Sequence, residues 1–227
     1  GKPVVIKPKS TNFGLGITIL KHNYDETDFK AALQIAFEHD NTVLIEKFIP
    51  GREFRIFIIN DEVVGILHRV PANVTGDGVL NIGQLIDRKN EDPLRGKGYR
   101  TPLEKIRKGR EEEMFLKQQG MDFNTVPKEG EVVYLRENSN ISTGGDSIDF
   151  TDDIDDSYKA IAVEAAKALN VKITGLDMMI QDIHAPATPD NYAIIEMNFN
   201  PAIHIHCYPF KGKNRHLNHK MIRALGF

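Results

Sequence analysis

The hydrophobic and polar positions of the first 70 residues predict five strands and one helix. Short β-branched and aliphatic runs that end at Pro, Gly or Asn are typical of strands, and they cover residues 4–8, 17–20, 42–48, 52–60 and 63–70. Residues 27–39 instead place apolar side chains three and four positions apart, which predicts a helix with Asp25 or Thr27 as its N-cap. This order of elements indicates an antiparallel sheet with the helix on one face.

The same patterns continue through the rest of the chain. They predict helices at 79–88, 110–119 and 155–169, strands at 132–136, 173–182 and 192–200, and a closing helix around residues 217–225. In the strand at 173–182, Leu176, Met178 and Ile180 share the inward face, and Asp177 lies on the opposite face.

The last strand carries residues with metal-binding chemistry. We expect this strand to be buried, with Ile194, Glu196 and Asn198 on one face and Ile195 and Met197 on the other. A carboxylate and an amide are costly to bury without partners, and Mg²⁺ pairs with both kinds of oxygen. The alternative is a strand end at which Glu196 meets an arginine and Asn198 caps a turn.

Asp177 extends this possible metal site. Only a loop at residues 184–191 separates its strand from the last one, so we expect the two strands to be neighbours. Asp177, Glu196 and Asn198 would then form a cluster of three oxygen ligands.

A polar, glycine-containing loop follows the first strand at residues 10–16. Backbone N–H groups near Gly14 and Gly16 would cradle phosphate oxygens, with Lys7 as a fixed positive charge. A plain hairpin is the alternative. Ile19 stands where the dinucleotide fingerprint requires its third glycine, and the sequence contains no Gly-Lys-Ser or Gly-Lys-Thr of a P-loop.

Two further stretches offer binding groups. Glu46 and Lys47 precede a Pro-Gly turn, where a strand end exposes backbone groups suited to an adenine edge, and Glu53 shares a strand face with Arg55. The loop at residues 138–145 is rich in Asn, Ser, Thr and Gly. It would hold a substrate carboxylate through hydroxyl and backbone donors, or it is an irregular surface turn.

Composition narrows the function classes. Hydrophobic residues at 41% and charged residues at 27% are ordinary for a globular domain, and a net charge of −3 gives no reason to expect nucleic acid or a membrane as partner. No apolar run is long enough for a membrane span, and no signal-peptide pattern is present.

The single cysteine, Cys207, excludes an internal disulfide and fits a reducing cytoplasm. His204, His206, His216 and His219 lie near it, but their spacing matches no standard zinc finger. We therefore expect Cys207 to be a packed thiol.

Five features now stand in order: Lys7, the glycine loop, the stretch 46–53, Asp177 and the pair Glu196-x-Asn198. Together they resemble the ATP-grasp ligases, and the resemblance covers essentially all 227 residues. It implies an α+β fold of two subdomains with antiparallel sheets that clasp ATP, here residues 1–70 and 71–227. It also implies a further subdomain before Gly1.

The resemblance also implies roles for individual residues, with ATP and Mg²⁺ as cofactors and Mn²⁺ as an alternative. ATP would be contacted by Lys7, Gly14, Gly16, Glu46, Lys47, Ile49 and Glu53, of which Glu53 would take the ribose. The metal would be held by Asp177, Glu196 and Asn198, and the substrate by Arg55, Asn140, Ser142, Thr143 and Gly144.

A closer resemblance rests on residues 69–78, 99–103 and 140–145 and on the ending from residue 198. These stretches are similar to the glutathione synthetase module of bacterial bifunctional γ-glutamylcysteine ligase/glutathione synthetases. The second resemblance is to cyanophycin synthetases. The resemblance implies an amide bond formed through an acyl-phosphate, with small peptide and amino-acid substrates and an upstream ligase domain in the same chain; it leaves an oligomer open. Arg136 or Arg69 would stabilise the acyl-phosphate, and we prefer Arg136.

Other functions remain as hypotheses. A ligase of the cyanophycin synthetase type, or another amino-acid ligase, would use the same ATP chemistry on other substrates. A phosphotransferase would release a phosphorylated product, and a non-catalytic module would bind nucleotide only. The intact set of Asp177, Glu196 and Asn198 argues against a non-catalytic module, because nothing would then require three polar groups in a buried site.

Overall fold

The computed structural model describes residues 2–11, 15–21 and 23–227, and the contacts divide the chain into the compact units Gly1–Pro50 and Gly51–Phe227. The strands are β1 (Val4–Pro8), β2 (Thr18–Leu20), β3 (Val43–Lys47), β4 (Arg52–Ile59), β5 (Glu62–Val70), β6 (Asn73–Thr75), β7 (Arg95–Gly96), β8 (Leu103–Glu104), β9 (Val132–Tyr134), β10 (Asp146–Asp149), β11 (Ile173–Ile180) and β12 (Tyr192–Asn198). The helices are α1 (Glu26–Phe37), α2 (Ile82–Lys89), α3 (Arg110–Gln118), α4 (Asp156–Ala168), α5 (His204–Cys207) and α6 (Leu217–Ala224).

The first unit is a three-stranded antiparallel sheet in the order β2-β1-β3, with α1 against it. Ile6 on β1 is fully buried against Ala32 and Ala36 of α1. Asp25 caps the helix, because its side chain accepts hydrogen bonds from the backbone N–H groups of Thr27 and Asp28. The alternation along β1 therefore leaves Lys7 on the sheet face opposite the helix.

The second unit is built on a five-stranded antiparallel sheet in the order β10-β5-β4-β11-β12. One face of this sheet packs against α4 through fully buried side chains. These include Phe54, Ile56, Leu176, Met178, Ile180 and Tyr158. The inward face predicted for residues 173–182 is confirmed, so Asp177 projects from the other face.

The opposite face of the sheet is covered at one end by α5 and α6. Phe57 and Ile59 of β4 pack there with Cys207 and Leu217, and Cys207 is a buried thiol, as predicted. His206 is fully buried, with its ring edge-on to Phe57 at 5.4 Å, and burial lowers the pKa of its imidazole to about 3. The other end of this face carries charged side chains.

A smaller hydrophobic cluster supports the residues between β5 and β10. Helices α2 and α3 pack there with β6 and β9, which pair as a two-stranded antiparallel ribbon. Beside it, the buried Asp146 carboxylate accepts a hydrogen bond from Lys89 Nζ at 2.6 Å and is ion-paired with Arg95. None of the described helices is both long and apolar enough to cross a membrane.

The division of the strands differs from the prediction. Residues 52–70 form β4 and β5, and these strands pair with β11 and β10 of the second unit rather than with β1 or β3. The contacts therefore place the division at residue 50, not at residue 70, and the first 70 residues contribute to two sheets. The local sequence pattern predicts where strands form. It does not predict these pairings, because they join residues more than 70 positions apart.

Strand β12 also differs from the prediction of a buried strand, because it is the edge of the sheet. Its pairing with β11 shifts, since Asp177 lies opposite Glu196 and Met178 lies opposite Ile194. Ile195 is thus an extra residue in a β-bulge. The bulge places Ile194 and Glu196 on different faces, contrary to the predicted alternation.

We expect Asp146→Asn to destabilise the second unit strongly. The change leaves Arg95 and Lys89, whose side chains are 0% and 16% exposed, without their common carboxylate. Loss of one partner of a buried ion pair costs about 3–5 kcal/mol. Asp87→Asn is the control, because the Asp87–Lys108 pair is exposed and such pairs contribute about 0–1 kcal/mol. Urea unfolding of the two variants measures the difference, and equal losses would contradict a structural role for Asp146.

Candidate active site

Charged side chains lie on four neighbouring strands of the second unit's sheet, β5, β4, β11 and β12, on the face opposite α4. In the antiparallel register, Arg55 of β4 lies opposite Asp177 of β11, and Asp177 lies opposite Glu196 of β12. Directly opposed residues project from the same face of a sheet. Asp177 and Glu196 therefore share a face, as the predicted metal site requires.

Asp177 is the centre of this group and is only 3% exposed. Arg55 binds it side-on, with Nε against Oδ1 and Nη2 donating to Oδ2 at 2.8 Å. Arg69 of β5 donates from Nη2 to the same Oδ2 at 3.0 Å. Two guanidinium groups thus neutralise one buried carboxylate, which satisfies the requirement that a buried charge be paired.

Opposing effects set the charge state of Asp177. Burial alone raises the pKa of its carboxyl, but the hydrogen bond from Arg55 and the positive charges of Arg69 and Arg55 outweigh it, so the pKa is lowered. Asp177 is therefore held as a carboxylate.

Arg69 links Asp177 to a second carboxylate. It is ion-paired with Glu53 of β4, whose Oε2 accepts a hydrogen bond from Ser139 Oγ at 3.1 Å. Ser139 belongs to the polar loop at 138–145, so the loop is connected to the charged face. The sequence reasoning missed Ser139, because nothing in the sequence marks a contact between residues 86 positions apart.

Glu196 and Asn198 lie together at the exposed edge. Asn198 Nδ2 donates to Glu196 Oε1 at 3.1 Å, and Thr174 Oγ1 donates to the backbone oxygen of Asn198 at 2.9 Å. This arrangement uses the amide nitrogen of Asn198 and leaves its Oδ1 as an acceptor. Two carboxylates and an amide oxygen on one face fit a hard divalent cation.

Among the residues that the structure describes, no three His, Cys, Asp or Glu side chains come together in metal-binding geometry. A cation would therefore need the Asn198 amide in addition to Asp177 and Glu196.

The first unit brings two of the predicted nucleotide residues together. Lys7 Nζ lies 2.7 Å from Glu46 Oε2, on neighbouring strands β1 and β3. Glu46 and Lys47 are exposed, and Ile49 is half-buried. Gly16 has φ +76° and lies close to Pro8 and His39, so a side chain there would clash. Gly14 lies outside the described residues.

The loop at 138–145 is closed by internal hydrogen bonds. Thr143 Oγ1 donates to Asn138 Oδ1 and to the Asn140 carbonyl, both at 2.9 Å. Gly144 has φ +93°, and a Cβ there would lie 2.8 Å from the Ile106 backbone. The loop is thus rigidly shaped, and Ser142 lies half-buried within the same turn.

The two candidate arginines have different surroundings. Arg69 contacts both Glu53 and Asp177. Arg136 instead donates from Nε to Glu112 Oε1 at 2.6 Å and is ion-paired with Glu111 on α3. Since Glu112 is only 1% exposed, Arg136 anchors α3, and the structure brings Arg69 rather than the preferred Arg136 to the carboxylates.

The chain is similar to known proteins along its whole length. Residues 1–81 match the family described as the D-ala D-ala ligase C-terminus. The chain is 63% identical over 227 residues to the glutathione biosynthesis bifunctional protein GshAB of Desulfotalea psychrophila, covering 100% of the chain and 29% of that protein. It is 59% identical over 222 residues to the protein of the same name from Clostridium perfringens, covering 98% and 28%.

A solved structure covers the same range. The crystal structure of a bifunctional glutathione synthetase from Pasteurella multocida is 48% identical, with a TM-score of 0.76 over 99% of this chain and 31% of that one. The predicted α+β, ATP-grasp fold is confirmed.

The more particular resemblance is confirmed as well. The chain is similar along its whole length to bifunctional glutathione biosynthesis proteins, and it spans less than a third of the length of those relatives.

We expect Asp177→Asn to lower stability and to flatten its pH dependence. Because the pKa of Asp177 is lowered in the folded protein, its carboxylate contributes to the free energy of unfolding above its unfolded pKa, about 3.9. This contribution is lost as the pH falls through the lower folded pKa. The variant leaves the buried Arg55 guanidinium without its carboxylate, whereas Arg69 keeps Glu53, and we expect a cost of about 3–5 kcal/mol at neutral pH. Urea midpoints at pH 7, 4 and 3 test this.

Glu196→Gln is the matched control for that experiment. Glu196 lies on the exposed edge strand, so its loss should change the midpoint at pH 7 by much less. If Asp177→Asn and Glu196→Gln behave alike, Asp177 is not the structural centre of the group.

Proposed function

We propose that this chain is the ATP-grasp part of an ATP-dependent carboxylate–amine ligase that makes glutathione from γ-glutamylcysteine and glycine. The observation that carries this is the group of Asp177, Arg55, Arg69 and Glu53 on one sheet face, beside Glu196 and Asn198. The choice of substrates is supported by the names of relatives at 59–63% identity.

Seven residues would contact ATP. Lys7, whose ammonium now pairs with Glu46, would bind phosphate oxygens, and Gly16 would allow the backbone to approach them together with Gly14. The strand end at Glu46, Lys47 and Ile49 would meet adenine. In the second unit, Glu53 would accept hydrogen bonds from the ribose.

Asp177, Glu196 and Asn198 would hold Mg²⁺ or Mn²⁺. Their two carboxylates and one amide oxygen are the ligands that hard cations take. When bound, the metal supplies charge neutralisation along the phosphates. Asp177 contributes a carboxylate held by two arginines, and Glu196 contributes one at the exposed edge, where it accepts a hydrogen bond from Asn198.

The chain's arginines would bind the reacting anions. The substrate carboxylate attacks the γ-phosphorus of ATP, the bond to ADP breaks, and an acyl-phosphate forms. Glycine's amine then displaces phosphate and loses a proton. Arg69, shared between Glu53 and Asp177, would stabilise the negative charge of both steps. We assign this role to Arg69 rather than Arg136, since Arg136 is held by Glu111 and Glu112.

The loop at 138–145 would bind a substrate carboxylate. Asn140, Ser142, Thr143 and Gly144 offer hydroxyl and backbone donors on a rigid turn, and Arg55 would add a positive charge. Ser139 would fix the loop relative to Glu53. Positioning of this kind lowers the barrier when two substrates must meet within about 3–3.5 Å.

The partners and compartment follow from the same proposal. Because the relatives are more than three times as long as this chain, we propose that an upstream ligase domain is covalently linked to it. The substrates are small peptides and amino acids. The buried, unpaired thiol of Cys207 is consistent with the cytoplasm.

An assay of the complete protein tests the function. ATP, γ-glutamylcysteine and glycine are supplied with Mg²⁺, and phosphate and glutathione are measured together. Equal amounts of both products support the proposal. Amide formation only with other amino acids would indicate a cyanophycin synthetase type or another amino-acid ligase. A phosphorylated product would indicate a phosphotransferase, and nucleotide binding without turnover a non-catalytic module.

We expect Glu196→Gln to lower turnover in the complete protein about 100-fold, by analogy with the loss of one group that stabilises transition-state charge. Because Glu196 is exposed, the thermal midpoint should stay close to that of the wild type. Near-normal turnover at saturating Mg²⁺ would remove Glu196 from the metal site.

We expect Lys7→Ala to weaken ATP binding about tenfold or more, since a hydrogen bond from a charged donor contributes about 1.5–3 kcal/mol. Calorimetric titration of ATP measures the change. Lys128→Ala is the control, because Lys128 is an exposed lysine outside the proposed site. Equal losses in the two variants would mean that Lys7 does not bind the phosphates.

A further inference from the structure

Gly175 lies on β11, two residues before Asp177, and therefore projects from the same face of the sheet. Its backbone does not require glycine, because it is not among the residues with positive φ. A Cβ at this position would lie 3.0 Å from Arg55 Cδ and 2.8 Å from Pro201 Cβ. Glycine is thus needed here because neighbouring atoms leave no room for a Cβ, and not because the backbone has a conformation that favours glycine.

The space above Gly175 is filled by the stem of Arg55. Arg55 lies opposite Asp177 in the pairing of β4 with β11, and Gly175 lies opposite Phe57. The Arg55 side chain leans along the sheet over Gly175, with Nε 3.6 Å from the position of the missing Cβ. From there the guanidinium reaches Asp177 edge-on with Nε and Nη2.

This approach leaves the third nitrogen of Arg55 available. Among the described residues, Nη1 donates no hydrogen bond. It is also not buried away from solvent, so a further acceptor can reach it. A planar guanidinium that binds a carboxylate through two nitrogens can still donate a hydrogen bond from its third nitrogen to an anion. The position of the stem therefore decides both how Asp177 is oriented and where Nη1 points.

We propose that Gly175 is a positioning residue of the active site: the lack of a side chain there lets Arg55 lie across β11, orient Asp177 for the metal and present Nη1 to a reacting anion. This inference rests on the proposed role of Asp177 as a metal ligand. A methyl group at residue 175 would lift the Arg55 stem and turn the Asp177 carboxylate away from Glu196.

Metal binding tests the proposal directly. Mn²⁺ is titrated calorimetrically into the chain saturated with ADP, and the thermal midpoint of each variant is recorded without metal. Gly175→Ala should weaken Mn²⁺ binding at least fivefold. In the complete protein it should raise the Mg²⁺ concentration for half-maximal activity and lower kcat, with little change in the KM for ATP.

Gly65→Ala is the matched control. Gly65 lies in the same sheet, and its Cβ would meet a side chain equally closely, since His206 Nδ1 would be 2.8 Å away. This variant should lower the thermal midpoint but leave Mn²⁺ affinity within twofold of the wild type. If both variants weaken Mn²⁺ binding equally, Gly175 has only a structural role and the proposal fails.

A double-mutant cycle separates the contact with Arg55 from the contact with Pro201. If Gly175→Ala acts through Arg55, it should change Mn²⁺ affinity little in an Arg55→Ala background. Additive losses would assign the effect to Pro201 and overturn the proposal. If Gly175→Ala alone does not fold, Arg55→Lys tests the same contact, because lysine cannot bind Asp177 through two nitrogens and should weaken Mn²⁺ binding. Unchanged Mn²⁺ binding in Arg55→Lys would then overturn the proposal.

Asp177→Asn distinguishes failure of this inference from failure of the proposed function. If Asp177→Asn weakens Mn²⁺ binding and neither Gly175→Ala nor Arg55→Lys does, the metal site stands and the role of Gly175 is wrong. If Asp177→Asn also binds Mn²⁺ as the wild type does, the proposed metal site itself fails.

Discussion

The second unit depends on the pairing of the Asp177 carboxylate with Arg55 and Arg69. A buried carboxylate is tolerated only when opposite charges and hydrogen-bond donors surround it, and here two guanidinium groups do so. These three residues lie on three neighbouring strands, so the charges stay together in only one register. A shift of β11 by one residue would carry Asp177 into the hydrophobic face and Met178 out of it. The ion pairs and the hydrophobic core thus specify the same arrangement.

The two faces of the sheet differ in what they carry. The face against α4 is filled by fully buried apolar side chains, which fix the strands, and α5 and α6 cover one end of the other face. The remaining end displays charged groups on strands rather than on loops. Electrostatic stabilisation is effective when the groups are already held in place before reaction. A sheet anchored on one side and open on the other provides that condition.

The edge strand gives the two carboxylates different freedom. Asp177 lies within the sheet and is held by Arg55 and Arg69, whereas Glu196 lies on the exposed strand β12 beside Asn198. The bulge at Ile195 restores the pairing so that Glu196 still faces the same side as Asp177. Bulges at sheet edges commonly re-aim a side chain in this way. One carboxylate is thus buried between two arginines, and the other is exposed at the edge of the sheet.

The sequence by itself determined the kinds of elements, the inward face of β11, a cap at Asp25 or Thr27 and, through its ordered motifs, the ATP-grasp resemblance. These features depend on near neighbours, since side-chain alternation and capping act over a few residues. The tertiary structure alone decided the division of the first 70 residues between two sheets, the bulge at Ile195 and the neighbours of Arg69 and Arg136. It also revealed why residue 175 is glycine. Each of these depends on partners far away in the chain, as the 122 residues between Arg55 and Asp177 illustrate, and no local pattern records which distant strand will lie alongside.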